Sequence, residues 1–137
     1  MSAMAASLAV QAMLVAALEA DPALAGVGVH DAPPPDAAVP YVTVGPDVAR
    51  DWGWKGGGGV EHRLTLTLWE RGEGVADAKR LLAAVERAVA ALEPEQDGFR
   101  LLLNRLERGS VRRTGGLWTQ GLLEWRMVTV WENGDGD

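Results

Sequence analysis

The chain has 137 residues, 47% of them apolar, with 13 Lys and Arg against 19 Asp and Glu, a formal net charge of −6 and a pI near 4.9. That length predicts a single domain over residues 1–132 with a core of its own, and the acidic balance argues against a surface that grips duplex DNA, because such affinity is largely phosphate neutralisation by Lys and Arg. No cysteine is present, which excludes disulfides, thiolate nucleophiles and cysteine metal sites and fits a reducing compartment.

The first apolar stretch predicts a helix from about Ala3 to Ala20, stopped by Asp21-Pro22 because proline lacks the amide hydrogen and disfavours helical geometry in the residue before it. It has little polar face. Met4, Leu8, Val15 and Leu18 lie along one side, Val10, Met13, Leu14 and Ala17 along another, and small alanines fill a third. A helix without a charged stripe is expected to be covered on more than one side, a neighbouring subunit being the simplest cover. No basic segment precedes it, and Gln11 and Glu19 bracket a stretch too short to span a bilayer, so neither a signal peptide nor a membrane partner is expected.

After the apolar piece Val27–His30, Ala32-Pro33-Pro34-Pro35-Asp36 predicts an extended, irregular segment. Strands are expected at Tyr41–Val48 and Glu61–Glu70, where Leu64, Leu66 and Leu68 alternate with Arg63, Thr65, Thr67 and Trp69. Between them lie Arg50-Asp51-Trp52-Gly53-Trp54-Lys55 and four glycines, Gly56 to Gly59. Glycine loses more backbone freedom on folding than any other residue, so this stretch reads as a flexible loop whose Trp52 and Trp54 anchor a partner. Deleting Gly56–Gly59 is then expected to spare the fold and prevent docking.

A second helix is predicted from about Val75 to Leu92, with Ala78, Leu81, Leu82, Val85, Ala88, Val89 and Leu92 at three- and four-residue steps, ending at Glu93-Pro94 and lying on the leucine face of the sheet. Two more strands, about Phe99–Val111 and Leu117–Glu132, join through Thr114-Gly115-Gly116, with Leu123, Trp125, Met127, Thr129 and Trp131 on one side of the last. The closing residues 133–137 read as a frayed tail. The order predicts an α+β fold, a mostly antiparallel sheet of two hairpins packed by two helices.

Residues for catalysis are scarce. His30 and His62 are the only histidines, Glu61 and His62 point to opposite strand faces, the glycine run lacks the trailing Gly-Lys-Ser/Thr of a phosphate loop, and no serine sits in a nucleophile elbow. The reading is therefore no enzyme, no cofactor and no metal. Arg105, Arg108, Arg112 and Arg113 around the last hairpin stand out in an acidic chain as a docking patch for the acidic flank of an adjacent copy or another protein. A small oligomeric enzyme built on His30, His62 and Glu61 is the rival from another class.

The alanine-rich helix, Asp31-Ala32-Pro33-Pro34-Pro35-Asp36, Pro40-Tyr41-Val42-Thr43-Val44-Gly45, Arg50-Asp51-Trp52 and Glu61-His62-Arg63-Leu64-Thr65-Leu66-Thr67-Leu68-Trp69 together resemble the tail-completion, or tail-terminator, proteins of long-tailed phages, prophages and gene transfer agents. The likeness spans nearly the whole chain. It departs after Asp51-Trp52, where a serine or threonine is frequent in the family and this chain has Gly53-Trp54-Lys55. The resemblance implies a non-enzymatic, ring-forming subunit, commonly a hexamer, that ends growth of the tail tube and offers a joint to the head connector. Its expected partners are copies of itself, the major tail tube protein and a head-tail connector or neck protein, with DNA only passing through the lumen. Its expected location is the tail of a phage-like particle assembled in the bacterial cytoplasm, and a neck adaptor ring is the nearest alternative.

Overall fold

The computed structural model describes residues 1–36 and 38–132, so the predicted tail at 133–137 lies outside the described residues. Helix α1 spans Ala3–Ala20. The Ser2 hydroxyl accepts the Ala5 amide at 3.1 Å and caps it, and Asp21, ahead of Pro22, ends it and caps a short 3-10 turn at Pro22–Leu24. Along α1, Ala6, Val10, Leu14 and Leu18 recur every four residues and form the buried side. Strands β1 (Gly28–His30), β2 (Tyr41–Asp51) and β3 (Gly57–Arg71) follow, then α2 (Ala76–Ala90), β4 (Glu95–Gln96), β5 (Phe99–Gly115) and β6 (Trp118–Glu132).

The expected sheet of two antiparallel hairpins is instead one six-stranded mixed sheet, ordered β1-β2-β3-β6-β5-β4 and curled into a half-barrel. Both hairpins form, and their inner strands β3 and β6 pair continuously from Gly57↔Glu132 to Arg71↔Trp118, which removes two exposed edges and makes one unbroken apolar face. The mixed character comes from β1, which lies parallel to β2 because the proline-rich segment carries the chain back before Tyr41. A bulge between Val44 and Asp47, with Gly45 at φ +126°, shifts the β2 register and allows β2 to continue to Asp51, three residues beyond the predicted end.

Both helices pack on the same face. Val10, Leu14 and Leu18 of α1 and Leu82, Val85 and Val89 of α2 meet Leu64, Leu66, Leu68, Leu123, Trp125 and Met127 in one buried cluster. The predicted seat of α2 on the leucine face is therefore correct, and Leu82 sits directly over Gly121, where a Cβ would collide with it. Helix α1 has the length, 18 residues, and the hydropathy, 1.7, of a membrane span, yet its inner side is committed to this core, which spanning a bilayer would forfeit. The other sheet face carries no helix among the described residues, and the alternation of β3, β6 and β5 places most of their charged side chains there, Glu70 and Arg113 lying on the helix side.

Candidate functional site

The glycine run is not a loop. Gly57, Gly58 and Gly59 are ladder residues of β3 opposite Glu132, Trp131 and Val130, and the connection narrows to a tight turn in which Trp54 and Gly57 exchange backbone hydrogen bonds of 3.1 and 3.2 Å. Trp52 donates to the Gly59 carbonyl at 2.8 Å, and the Asp51 carboxylate accepts the Gly53 amide at 3.1 Å. The glycines serve close approach instead of flexibility: a Cβ on Gly58 would enter the Trp131 indole, one on Gly56 the Trp54 ring, and one on Gly59 would lie 2.6 Å from the Trp52 carbonyl. The predicted removable loop is thus a glycine floor under aromatic rings, and deletion of Gly56–Gly59 would strip ladder positions from β3. Both tryptophans of the turn remain outward, Trp52 at 42% and Trp54 at 49% exposed.

At this end of the sheet Trp54, Phe99, Arg100 and Trp131 line an open cavity of about 430 Å³ with Glu95 and Glu132. Sequence reasoning did not connect Phe99 or Arg100 with the tryptophans, because the neighbourhood depends on the β3–β6–β5 pairing and not on either hairpin alone. Lys55 sits at the tip of the turn, exposed.

The arginines divide. Arg113 is a brace: its guanidinium donates to the carbonyls of Gly72 at 2.6 Å, Gly74 at 3.1 Å and Gly116 at 3.2 Å, and to the Thr119 hydroxyl at 3.0 Å. Arg105, Arg108 and Arg112 lie on the helix-free face with Glu107, Glu124 and Gln120 as neighbours. The tryptophan turn and Arg112 do not form one site: Gly59 pairs with Val130 and Arg112 with Gln120, so the two are separated along β6 by roughly 33 Å at about 3.3 Å per residue.

Between these ends runs a band of charge that the sequence reading missed. Arg63, Arg126 and Arg105 are direct cross-strand neighbours on β3, β6 and β5, an arrangement that repels unless carboxylates are interleaved. Glu61 and Glu107 supply them. Arg126 donates through Nε to Glu61 Oε2 at 2.8 Å, its Nη2 lies 2.8 Å from the same oxygen, and Arg63 lies 3.7 Å from Glu61 and 3.5 Å from Glu107. Arg50, 75% exposed, approaches Glu61 at 3.9 Å. The Arg126 hydrogen bond, aided by the charges of Arg126, Arg63 and Arg50, holds the Glu61 carboxyl below its ordinary range despite desolvation. The alternation of Glu61 and Arg63 against Glu124 and Arg126 was the available signal.

The histidines do not converge. His30 stacks edge-on against Tyr41 at the sheet margin, with ring centroids 5.9 Å apart. His62, fully buried opposite Met127, has Nε2 2.8 Å from the Thr129 hydroxyl and Nδ1 without a partner. Burial pushes its pKa down, partly countered by Asp47. Glu61 points to the other sheet face, and among the described residues no three His, Cys, Asp or Glu side chains are grouped as metal ligands. Buried His62 packs the core and offers a substrate no access.

Residues 12–130 match the family described as tail completion protein gp17. The virion of a native gene transfer agent (GTA) particle contains a chain that superposes with a TM-score of 0.76 at 30% sequence identity, the match covering 88% of this chain and 93% of that one. No curated protein matches. The chain belongs to the tail completion protein gp17 family, whose members are structural phage tail proteins and not enzymes.

Proposed function

We propose that this tail structural protein caps the tail tube of a phage-like particle as a hexameric ring, ending tube growth and forming the joint to the head connector. The similar chain in the gene transfer agent virion supports a place in the tail. The observation that carries the assembly reading is the outer side of α1, where Met4 and Leu8 are each 64% exposed on a helix without one basic residue. A lone molecule has little reason to display such a stripe, and contiguous exposed apolar surface marks contact sites. A heterologous contact that closes on itself buries two different patches per copy and yields a ring.

The tryptophan turn is assigned to the tube. Trp52 and Trp54 stand half-exposed on a rigid hairpin end, with Arg50, Asp51 and Lys55 around them, the composition of an interface anchor. A pre-formed anchor binds without the ordering cost of a loose glycine loop. Particles from cells lacking the gene are expected to carry overlong tails without heads. Normal-length tails that merely fail to join heads would instead indicate a neck adaptor. Trp52→Ala with Trp54→Ala is expected to leave the fold intact and reduce retention of the protein on tails, read by quantifying it in purified particles.

A further inference from the structure

Charge is segregated between the two ends of the strand order. From Met1 to Ala49 the sequence has no Lys or Arg, while Glu19, Asp21 and Asp31 gather in and after α1. Strand β5 carries Arg100, Arg105, Arg108, Arg112 and Arg113 against the single carboxylate Glu107. These segments occupy opposite margins of the sheet. Beside β1, on its outer side, α1 and β1 form a groove of about 510 Å³ with apolar walls from Leu8, Ala12, Val15 and Val29 and the carboxylates Glu19 and Asp31 at its rim.

The opposite margin is an open strand. β4 covers only Phe99 and Arg100, so among the described residues β5 has a strand neighbour on one side alone from Leu102 to Gly115, roughly 45 Å of edge at about 3.3 Å per residue. Leu102, the extra residue of a bulge, is 47% exposed on it. Strand direction permits a junction: β5 runs antiparallel to β6, β6 to β3, β3 to β2, and β1 is parallel to β2, so β5 beside β1 of a copy rotated about the strand axis makes an antiparallel pair.

We propose that the occupant of the α1–β1 groove is β5 of a second copy, its edge paired with β1, with Leu102 against the apolar walls and the margin that carries Arg105 and Arg108 on its helix-free face brought alongside the acidic margin that carries Glu19 and Asp31. This deepens the ring reading, on which it rests, by naming the two mating surfaces. Head-to-tail contact follows because the surfaces differ, and the opposite charge of the two margins favours this pairing over like edges.

The absence of native cysteine gives a clean test. Leu8→Cys and Leu102→Cys, both at exposed positions, are placed in one chain, and isolated tails and concentrated free protein are treated with a short bis-maleimide. A covalent ladder of multimers is expected from the double variant and monomer from each single variant. No ladder in either preparation, with an unchanged circular dichroism spectrum, overturns the contact, and so does a dimer from a single variant, which would mean an isologous pairing. Adding Glu19→Arg with Asp31→Arg, or Arg105→Glu with Arg108→Glu, is expected to cut the ladder about tenfold or more, and combining all four in one chain to restore it. Failure of the combination to restore it counts against the pairing. Tail length in particles lacking the gene reports capping separately: normal tails with an intact ladder remove the capping role and keep the contact, and overlong tails without a ladder do the reverse.

Discussion

At the scale of single residues the chain uses bulky aromatics and their absence as a matched set. Trp131 covers Gly58 across the β3–β6 ladder, so any side chain at Gly58 must displace an indole from both sheet and cavity. Gly58→Val is expected to lower stability by about 1–3 kcal/mol, read from urea unfolding, as overpacking does. His62 gives a second residue-scale test. Its pKa is depressed from 6.5 by burial, so the unfolded chain takes up a proton that the folded chain refuses, and stability falls as pH drops below 6.5 until the lower folded-state pKa is reached. His62→Gln keeps a side chain able to hydrogen-bond Thr129 without this titration, and its melting temperature is expected to vary less than that of the natural chain between pH 8 and 5. Glu61 acts in a lower window: its pKa is lowered by Arg126, so the stability it contributes is present above 4.5 and lost as pH falls through the folded value.

At the scale of elements, the clearest contrast lies within α1. Leu14 is fully buried and Leu8 is 64% exposed, six residues apart on one helix. Leu14→Ala is expected to cost about 2–5 kcal/mol, whereas Leu8→Ala should leave the isolated chain within about 0.5 kcal/mol and appear only in assembly. Arg113 ties the segment between β3 and α2, the β5–β6 turn and β6 to one guanidinium. Arg113→Ala is expected to cost about 1–3 kcal/mol by thermal or chemical melting, while Arg112→Ala, which gives up an exposed hydrogen bond to Gln120, should be near neutral. Elements of this kind were legible because they depend on local rules. The bounds of α1 followed from Asp21-Pro22, and the positive φ at Gly115 and Gly116 from the turn chemistry of the last hairpin. The part played by Gly57–Gly59 was not legible: a glycine run has the same local signature in a loop and beneath a cross-strand indole, and only the long-range pairing with Val130–Glu132 separates the two. The bracing contacts of Arg113 were hidden for a similar reason, since the Gly72 and Gly74 carbonyls lie about forty residues upstream.

At the scale of the whole molecule, the charge map separates folding from assembly. The core joining both helices to the sheet is apolar, so salt that screens surface charge should change unfolding little. The two sheet margins behave differently. Glu19 and Asp31 flank one, and Arg105 and Arg108 stand on the other at 57% and 70% side-chain exposure, beside carboxylates they share with water. Within one copy such exposed pairs contribute little and exchange readily, which leaves the arginines free to change partners when another acidic margin arrives. Attraction between margins is screened beyond about 8–10 Å at ordinary ionic strength and beyond about 3 Å near 1 M salt. Raising salt from low to near molar is therefore expected to slow association of subunits, measured by light scattering or by ladder formation, by about tenfold or more, with the melting temperature of the monomer nearly constant. Association that is indifferent to salt while Leu8→Ala abolishes it would assign the joint to the apolar wall alone, with the arginine margin left for another neighbour in the tail.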